Sequence, residues 1–385
     1  MNIGIFTDSY RPYISGVVRS IDSFASELRK MGHNVYIFAP KYKGAPDEPY
    51  VYRFHSVRPL ANNDFTLAIP FSSKLRTTLS KLNLDLIHTH SPFIMGRLGA
   101  HCARRAGIPL VFTYHTLYDQ YVHYVPVVEP VARWAVVHYT ANYCNRADRI
   151  ITPTTVVAKM IKNYGISTPI SVLPTGIDYQ LFKSGDPNWL RERYGIGQNE
   201  KVLLYVGRLG QEKNLDFLMH AVRLVKKKLP DQKLRLVLVA GGPERENLER
   251  LAVELELCDN VLFTGPLPPK EVAHCYKGAD LFTFASCTET QGLVLLEAMA
   301  AGLPPVAVGA NGVLDMVESY TDGILVDLDL EKFSSAIVEL LTNPELKDKL
   351  VQNARLKAER YSTSNMAKKL SALYEEVLRE SGAGK

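Results

Sequence analysis

Two carboxylates, Glu289 and Glu297, are separated by seven residues in a stretch that also carries Gly292 and ends at Pro304. Glu297 sits among Leu295, Leu296, Ala298 and Met299. A carboxylate in such apolar company is costly to bury unless it is paired. Gly292 and Leu293 fall where a helix should open, and the first N–H groups of a helix can receive a phosphate. A carboxylate deeper in the same helix can accept both hydroxyls of a ribose. A second stretch, residues 206–214, carries Arg208 and Lys213. Two cations there could clamp a diphosphate, arginine by paired hydrogen bonds and lysine as a point charge. The plain alternative is a solvated basic loop. Near the start of the chain, Gly16 closes an Asp8-Ser9-Tyr10 loop just ahead of a helical pattern. That glycine would let a helix N-terminus approach an anion, although alone it is equally a turn. No GxGxxG is present, so the usual dinucleotide fingerprint is missing. His115 follows an apolar run, and His88 and His90 follow another. The last two are either site residues or inter-strand packing. Their H-x-H spacing raises a metal site, but no third ligand is apparent and none is expected.

These residues need elements to hold them. Short β-branched runs at 2–7, 34–39, 50–54, 84–88, 110–113, 149–152 and 170–173 alternate with helical patterns such as 17–31 and 96–106. The alternation restarts near Lys201, with runs at 202–206, 235–240, 261–264, 281–284, 305–308 and 324–326. Buried runs separated by helices imply βαβ units with parallel sheets covered on both faces. The expected fold is α/β, two Rossmann-like doubly wound lobes over 1–182 and 183–363, with a turn-rich link at 183–188. A last helix within 364–385 would return to the first lobe. Ligands bind at the carboxyl ends of such strands. Every residue named above falls there or in the helix that follows, which implies an inter-domain cleft between facing lobes.

Composition narrows the class. The 385 residues are 46% hydrophobic and 22% charged, which argues against disorder and fibrous structure. No run of eighteen apolar residues suggests a membrane span, and MNIGIFTDSY reads as a first strand instead of a secretory leader. Five scattered cysteines, none spaced CxxC, suit a reducing compartment. The net charge of +5 is uneven: residues 1–182 hold 19 Lys+Arg against 11 Asp+Glu, and residues 183–385 hold 26 against 29. A basic first half fits a polyanionic surface. No nucleic-acid motif accompanies it.

Together the E-x7-E stretch, the V-G-R-L-x-x-E-K-N loop and the Gly16 loop resemble the retaining glycosyltransferases of family 4. The resemblance spans essentially the whole chain and implies the GT-B fold and a nucleotide-sugar donor. It implies that Arg208 and Lys213 hold the diphosphate, Glu297 the ribose and Glu289 the sugar hydroxyls. Gly292, Leu293 and Gly16 would complete the phosphate contacts. His115 matches the family's histidine near the reacting carbon, so the catalytic residues would be His115 and Glu289. No cofactor or metal is implied.

Three features suggest a lipid acceptor. One is the basic first half. Another is residues 73–86, where Leu75, Leu79, Leu82 and Leu86 recur at helical spacing beside Lys74, Arg76 and Lys81. A basic amphipathic helix can lie on an anionic bilayer, and an ordinary helix packing its leucines on a sheet has the same pattern. The third is a set of apolar residues, Phe65, Leu67, Ile69, Phe71, Tyr121, Tyr124, Val127, Val128, Trp134 and Tyr139. Within the family, the wording around residues 8–18, 114–124 and 288–294 is similar to the bacterial diacylglycerol glucosyltransferases. Gln291 stands where the wider family commonly has Phe. That branch implies glucose transfer from UDP-glucose to the 3-hydroxyl of 1,2-diacylglycerol, at the cytoplasmic face of an anionic membrane. Asp119, Tyr121 and His123 would approach the acceptor. Other acceptors (phosphatidylinositol with a mannosyl donor, or a soluble sugar) and a UDP-sugar epimerase of like architecture remain the alternatives.

Overall fold

Short runs rich in β-branched residues, with little polar alternation, suit strands buried on both faces, and the chain has many of them. In the computed structural model, which describes residues 1–13, 15–57, 66–71, 75–118 and 129–383, they make two parallel sheets. The chain divides into two compact units, Met1–Gly176 together with Thr363–Lys385, and Ile177–Ser362.

The first unit contains β1 (Asn2–Phe6), β2 (Asn34–Pro40), β3 (Val51–Phe54), β4 (Ser56–Val57), β5 (Leu67–Ala68), β6 (Leu86–Thr89), β7 (Leu110–Thr113), β8 (Arg149–Thr152) and β9 (Ile170–Val172). Its seven-stranded sheet runs β3-β2-β1-β6-β7-β8-β9, while β4 and β5 pair by themselves, antiparallel. Strand order reverses between β1 and β6, where Ile3 lies beside Leu86 and Phe6 beside Thr89. All four residues of β6, of β7 and of β8 are buried. The helix Gly16–Lys30 starts on an extended Ser15, whose side chain accepts from the Val18 N–H, the usual N-terminal cap. The final helix, Thr363–Ala383, packs against this unit. Tyr374 is fully buried, and Arg149 bonds Glu376 and Glu380 at 2.9 and 2.8 Å.

Of the helix expected over 73–86, the described residues show Leu75–Leu82 as helix and end it at Leu82. Leu75, Leu79 and Leu82 pack against the core of the unit, and Leu86 belongs to β6. The leucine stripe therefore faces protein, while Arg76 and Lys81 are exposed. Lys74 lies outside the described residues.

The second unit holds β10 (Lys201–Arg208), β11 (Leu234–Gly241), β12 (Val261–Phe263), β13 (Leu281–Phe284), β14 (Pro305–Val308) and β15 (Ile324–Val326), in the order β12-β11-β10-β13-β14-β15. Here the order reverses between β10 and β13. The turn-rich stretch at 183–188 lies inside this unit and not at its edge. It joins the short helices Tyr179–Lys183 and Trp189–Tyr194, with Gly185 pressed against the Ala273 carbonyl. The unit begins at Ile177, whose N–H bonds the Tyr361 carbonyl at 3.0 Å.

Candidate functional site

Both strand-order reversals are surrounded by the residues with chemical potential, as expected of doubly wound sheets. In the second unit, Arg208 is the last residue of β10 and is exposed. Its backbone is held by the buried Tyr205, whose hydroxyl donates to the Arg208 carbonyl at 3.0 Å. Lys213 ends a short 3-10 turn, Gln211–Lys213, and its ammonium reaches Glu289 Oε1 at 2.5 Å. The two sequence stretches thus meet through a largely buried ion pair, with side chains 16% and 21% exposed. Asn214, in the left-handed region at φ 50°, ties the same loops a second time by donating to the Ala285 carbonyl at 2.9 Å.

Gly292 takes φ 78° immediately before the helix Leu293–Ala301, a conformation that glycine adopts without strain. Seven of the nine helix residues are buried, Glu297 among them at 3% exposure. The Tyr276 hydroxyl donates to Glu297 Oε2 at 3.0 Å, which partly offsets burying the carboxylate. Arg208, Lys213, Glu289, Gly292, Leu293 and Glu297 therefore all lie on or just beyond β10 and β13.

Three contributors carry no conspicuous chemistry in the sequence. Asn311 donates to the Cys287 carbonyl at 2.5 Å, and the Gly312 N–H bonds the Glu289 carbonyl at 2.9 Å. Thr288 Oγ1 is buried with no hydrogen-bond partner among the described residues. The Asn-Gly pair at 311–312 was the available signal, as a turn. That this turn supports Glu289 is a tertiary fact.

In the first unit, Gly16 opens its helix with open space around it: a Cβ there would meet nothing within 4 Å. Asp8, just after β1, accepts from the Ser91 hydroxyl and, at 2.9 Å, from the Met95 N–H, and burial raises its pKa. His88 lies within β6 and His90 just after it, and His115 follows β7. His90 Nδ1 and His115 Nε2 are 2.8 Å apart. His88 meets the Tyr374 hydroxyl at 2.6 Å and Thr113 Oγ1 at 2.7 Å. Of the H-x-H pair, His88 packs between strand and helix, and His90 touches His115. Asp119, Tyr121 and His123 lie outside the described residues, as do Phe65, Tyr124, Val127 and Val128. Of the other apolar residues singled out, Phe71 is 77% and Trp134 62% exposed. Among the described residues no group of three or more potential ligands could hold a metal ion, and no helix is long and apolar enough to cross a membrane.

Burial pushes the His88 pKa from 6.5 down to about 3 and that of His115 to about 4. His90 is driven well below 6.5 by burial and then by its two histidine neighbours. All three are neutral near pH 7 when folded. Below about 6.5 the unfolded chain takes up protons that the folded chain refuses, so stability falls with pH. Asp8, with a raised pKa, acts in the opposite sense, its contribution present at low pH and lost as pH rises. His88, with the most direct contact to the last helix, should contribute visibly to this decline as pH falls below about 6.5. Thermal denaturation between pH 7 and 4 should show a steeper decline for the native chain than for His88→Gln. Parallel slopes would contradict this.

Two α/β units, each reversing strand order beside a cluster of phosphate- and sugar-compatible groups, define the architecture of a GT-B glycosyltransferase. The crystal structure of Anabaena HepE in complex with UDP has this fold, with a TM-score of 0.79 at 20% identity, covering 98% of this chain and 100% of that one. Residues 188–357 match the glycosyl transferases group 1 and residues 14–181 match Glycosyltransferase Family 4. The alpha-monoglucosyldiacylglycerol synthase of Streptococcus pneumoniae is 33% identical over 97% of this chain and 85% of its own length. The Acholeplasma laidlawii protein of the same name is 30% identical over 98% of each. The chain belongs to the family-4 glycosyltransferases and is a hexosyltransferase.

Proposed function

We propose that this chain transfers glucose from UDP-glucose to the 3-hydroxyl of 1,2-diacylglycerol, with retention of anomeric configuration, as a peripheral protein on the cytoplasmic face of an anionic membrane. The observation that carries this reading is the near full-length likeness to two alpha-monoglucosyldiacylglycerol synthases. The geometry of the second unit supports the donor half. Arg208, Lys213 and the first N–H groups of the helix at Gly292–Leu293 neutralise the diphosphate, Glu297 takes the ribose hydroxyls, and Glu289 takes those of the sugar. Developing charge on the departing nucleotide meets fixed cations and dipoles, and no metal takes part. His115 meets the sugar near its reacting carbon. The acceptor hydroxyl attacks the face from which the phosphate leaves, and a phosphate oxygen takes its proton, with no covalent glycosyl-enzyme intermediate. The exposed Phe71 and Trp134 and the exposed Arg76 and Lys81 support contact with a lipid surface, and Asp119, Tyr121 and His123 are proposed to meet the glycerol.

The reading is tested by a radiolabelled-sugar assay offering UDP-glucose, UDP-galactose and GDP-mannose. Each donor is presented with diacylglycerol in anionic mixed micelles, with phosphatidylinositol, with soluble sugars and without acceptor. Glucolipid from UDP-glucose and diacylglycerol alone is expected. Another lipid, a soluble product or an isomerised free donor would replace the reading with the corresponding alternative.

Gly16 permits a clean check. It lies in the first turn of its helix and its surroundings are open, so Gly16→Ala should keep or slightly raise the melting temperature. A methyl group at a phosphate-facing helix start should nevertheless raise the donor KM about tenfold, roughly 1.4 kcal/mol of binding. An unchanged KM would remove Gly16 from the site.

A further inference from the structure

Four side chains from three parts of the first unit form a continuous row behind His115. Tyr374, on the last helix, meets His88 Nδ1 at 2.6 Å, and Thr113 meets His88 Nε2 at 2.7 Å. The His88 ring lies 4.2 Å from that of His90, centroid to centroid, and the His90 and His115 rings lie edge to edge, 5.1 Å between centroids with 20° between planes. His90 is 3% exposed. Its Nδ1 is 2.8 Å from His115 Nε2, and its own Nε2 is buried with no hydrogen-bond partner among the described residues.

A neutral imidazole carries one N–H and one lone pair. One proton must therefore lie between His90 and His115, and there are two ways to place it. If His115 supplies it, the His90 proton sits on Nε2 as an orphaned buried donor. If His90 supplies it, only a lone pair is left at Nε2. Orphaned buried N–H groups are the rarer of the two in folded proteins. The first arrangement is disfavoured.

We propose that His90 is the positioning residue of His115: it donates Nδ1–H to His115 Nε2, and so holds His115 as a neutral imidazole with its proton on Nδ1, while His88 and Tyr374 fix the His90 ring from behind. This rests on the reading of His115 as the histidine at the sugar. With Nε2 of His115 accepting from His90, its ring lone pair is engaged, and His115 does not serve the reaction as a base. The low proton affinity that burial gives all three histidines is consistent with this neutral row.

The test uses the full chain labelled with nitrogen-15 histidine. Long-range proton–nitrogen spectra at pH 7.5 are assigned by the signals lost in His115→Ala and His90→Asn. His115 is expected to show a pyrrole-type Nδ1 and a pyridine-type Nε2, and the reverse pattern in the native chain would overturn the proposal. Asparagine places its amide nitrogen close to where Nδ1 of histidine lies, whereas glutamine places it near Nε2. His90→Asn should therefore keep the His115 pattern, and His90→Gln and His90→Leu should lose it. In the transfer assay, kcat should fall about a hundredfold in His90→Leu with the donor KM nearly unchanged, and His90→Asn should recover most of it. Equal losses in both, with the His115 pattern unaltered and melting temperatures alike, would reduce His90 to packing. Tautomers are read without substrate, so they decide the proposal separately from the site reading. Full transfer by His115→Ala would refute that site reading instead.

Discussion

Glu289→Ala is expected to lower kcat by about a thousandfold, the upper range for removing one preorganised electrostatic contact. Two effects combine. In the proposed reading Glu289 grips sugar hydroxyls whose alignment the transition state needs, and a misplacement of about 1 Å can cost about a hundredfold. Its removal also breaks the ion pair with Lys213, whose ammonium lies 2.5 Å from Glu289 Oε1 in a pair only 16% and 21% exposed. Removing one side of a largely buried ion pair costs up to about 3 kcal/mol. The loop after β10 should loosen with it. Glu289→Gln keeps the shape and one acceptor, so it should melt closer to the native chain yet remain at least about a hundredfold slower. Activity of Glu289→Ala within threefold of native would remove Glu289 from the catalytic site.

The second large effect is expected at a residue with no functional group. A Cβ on Gly312 would lie 2.2 Å from the Thr290 carbonyl oxygen, 2.3 Å from its carbon and 2.7 Å from the Gln291 nitrogen. Backbone cannot yield as a flexible side-chain tip can, so Gly312→Ala must push residues 290–291 away. That shift breaks or bends the 2.9 Å bond from the Gly312 N–H to the Glu289 carbonyl. Overpacking of this kind costs about 1–3 kcal/mol. Movement of Glu289 should add a kcat loss of about a hundredfold. Because Gly312 has an ordinary helical φ of −63°, the effect is steric and not conformational. Ala at Gly165, where a Cβ meets nothing within 4 Å but φ is 80°, provides the contrast: some stability is lost and transfer is retained. Native-like kinetics in Gly312→Ala would contradict the claim that this turn supports Glu289.

The fold was legible where burial was uniform. β6, β7, β8, β13 and β14 are buried at all four positions, and each shows in the sequence as a short run rich in β-branched and aromatic residues. β4 and β5 have two residues each, too few for a periodic signal, and their pairing depends on tertiary context. Residues 183–188 mark a real turn, but turn chemistry is the same inside a unit as between units, so the turn signal lies six residues beyond Ile177, where the second unit begins. In the site, Glu297 was legible as a buried carboxylate because its neighbours are apolar on every side. The Lys213–Glu289 pair joins residues 76 positions apart. The Gly312 support and the His90–His115 pair likewise span separate loops, and no local pattern specifies such distances. They follow from the strand order, which brings β10 beside β13 and β6 beside β7.

The most direct measurement is the structure of the product. The glycolipid made from UDP-glucose and 1,2-diacylglycerol should be isolated, and its anomeric proton coupling and glycerol linkage read by NMR. The account predicts one α-linked glucosyl group on the 3-hydroxyl of the glycerol. A β linkage would contradict retention, and free glucose or an isomerised nucleotide sugar in place of glycolipid would contradict lipid transfer itself.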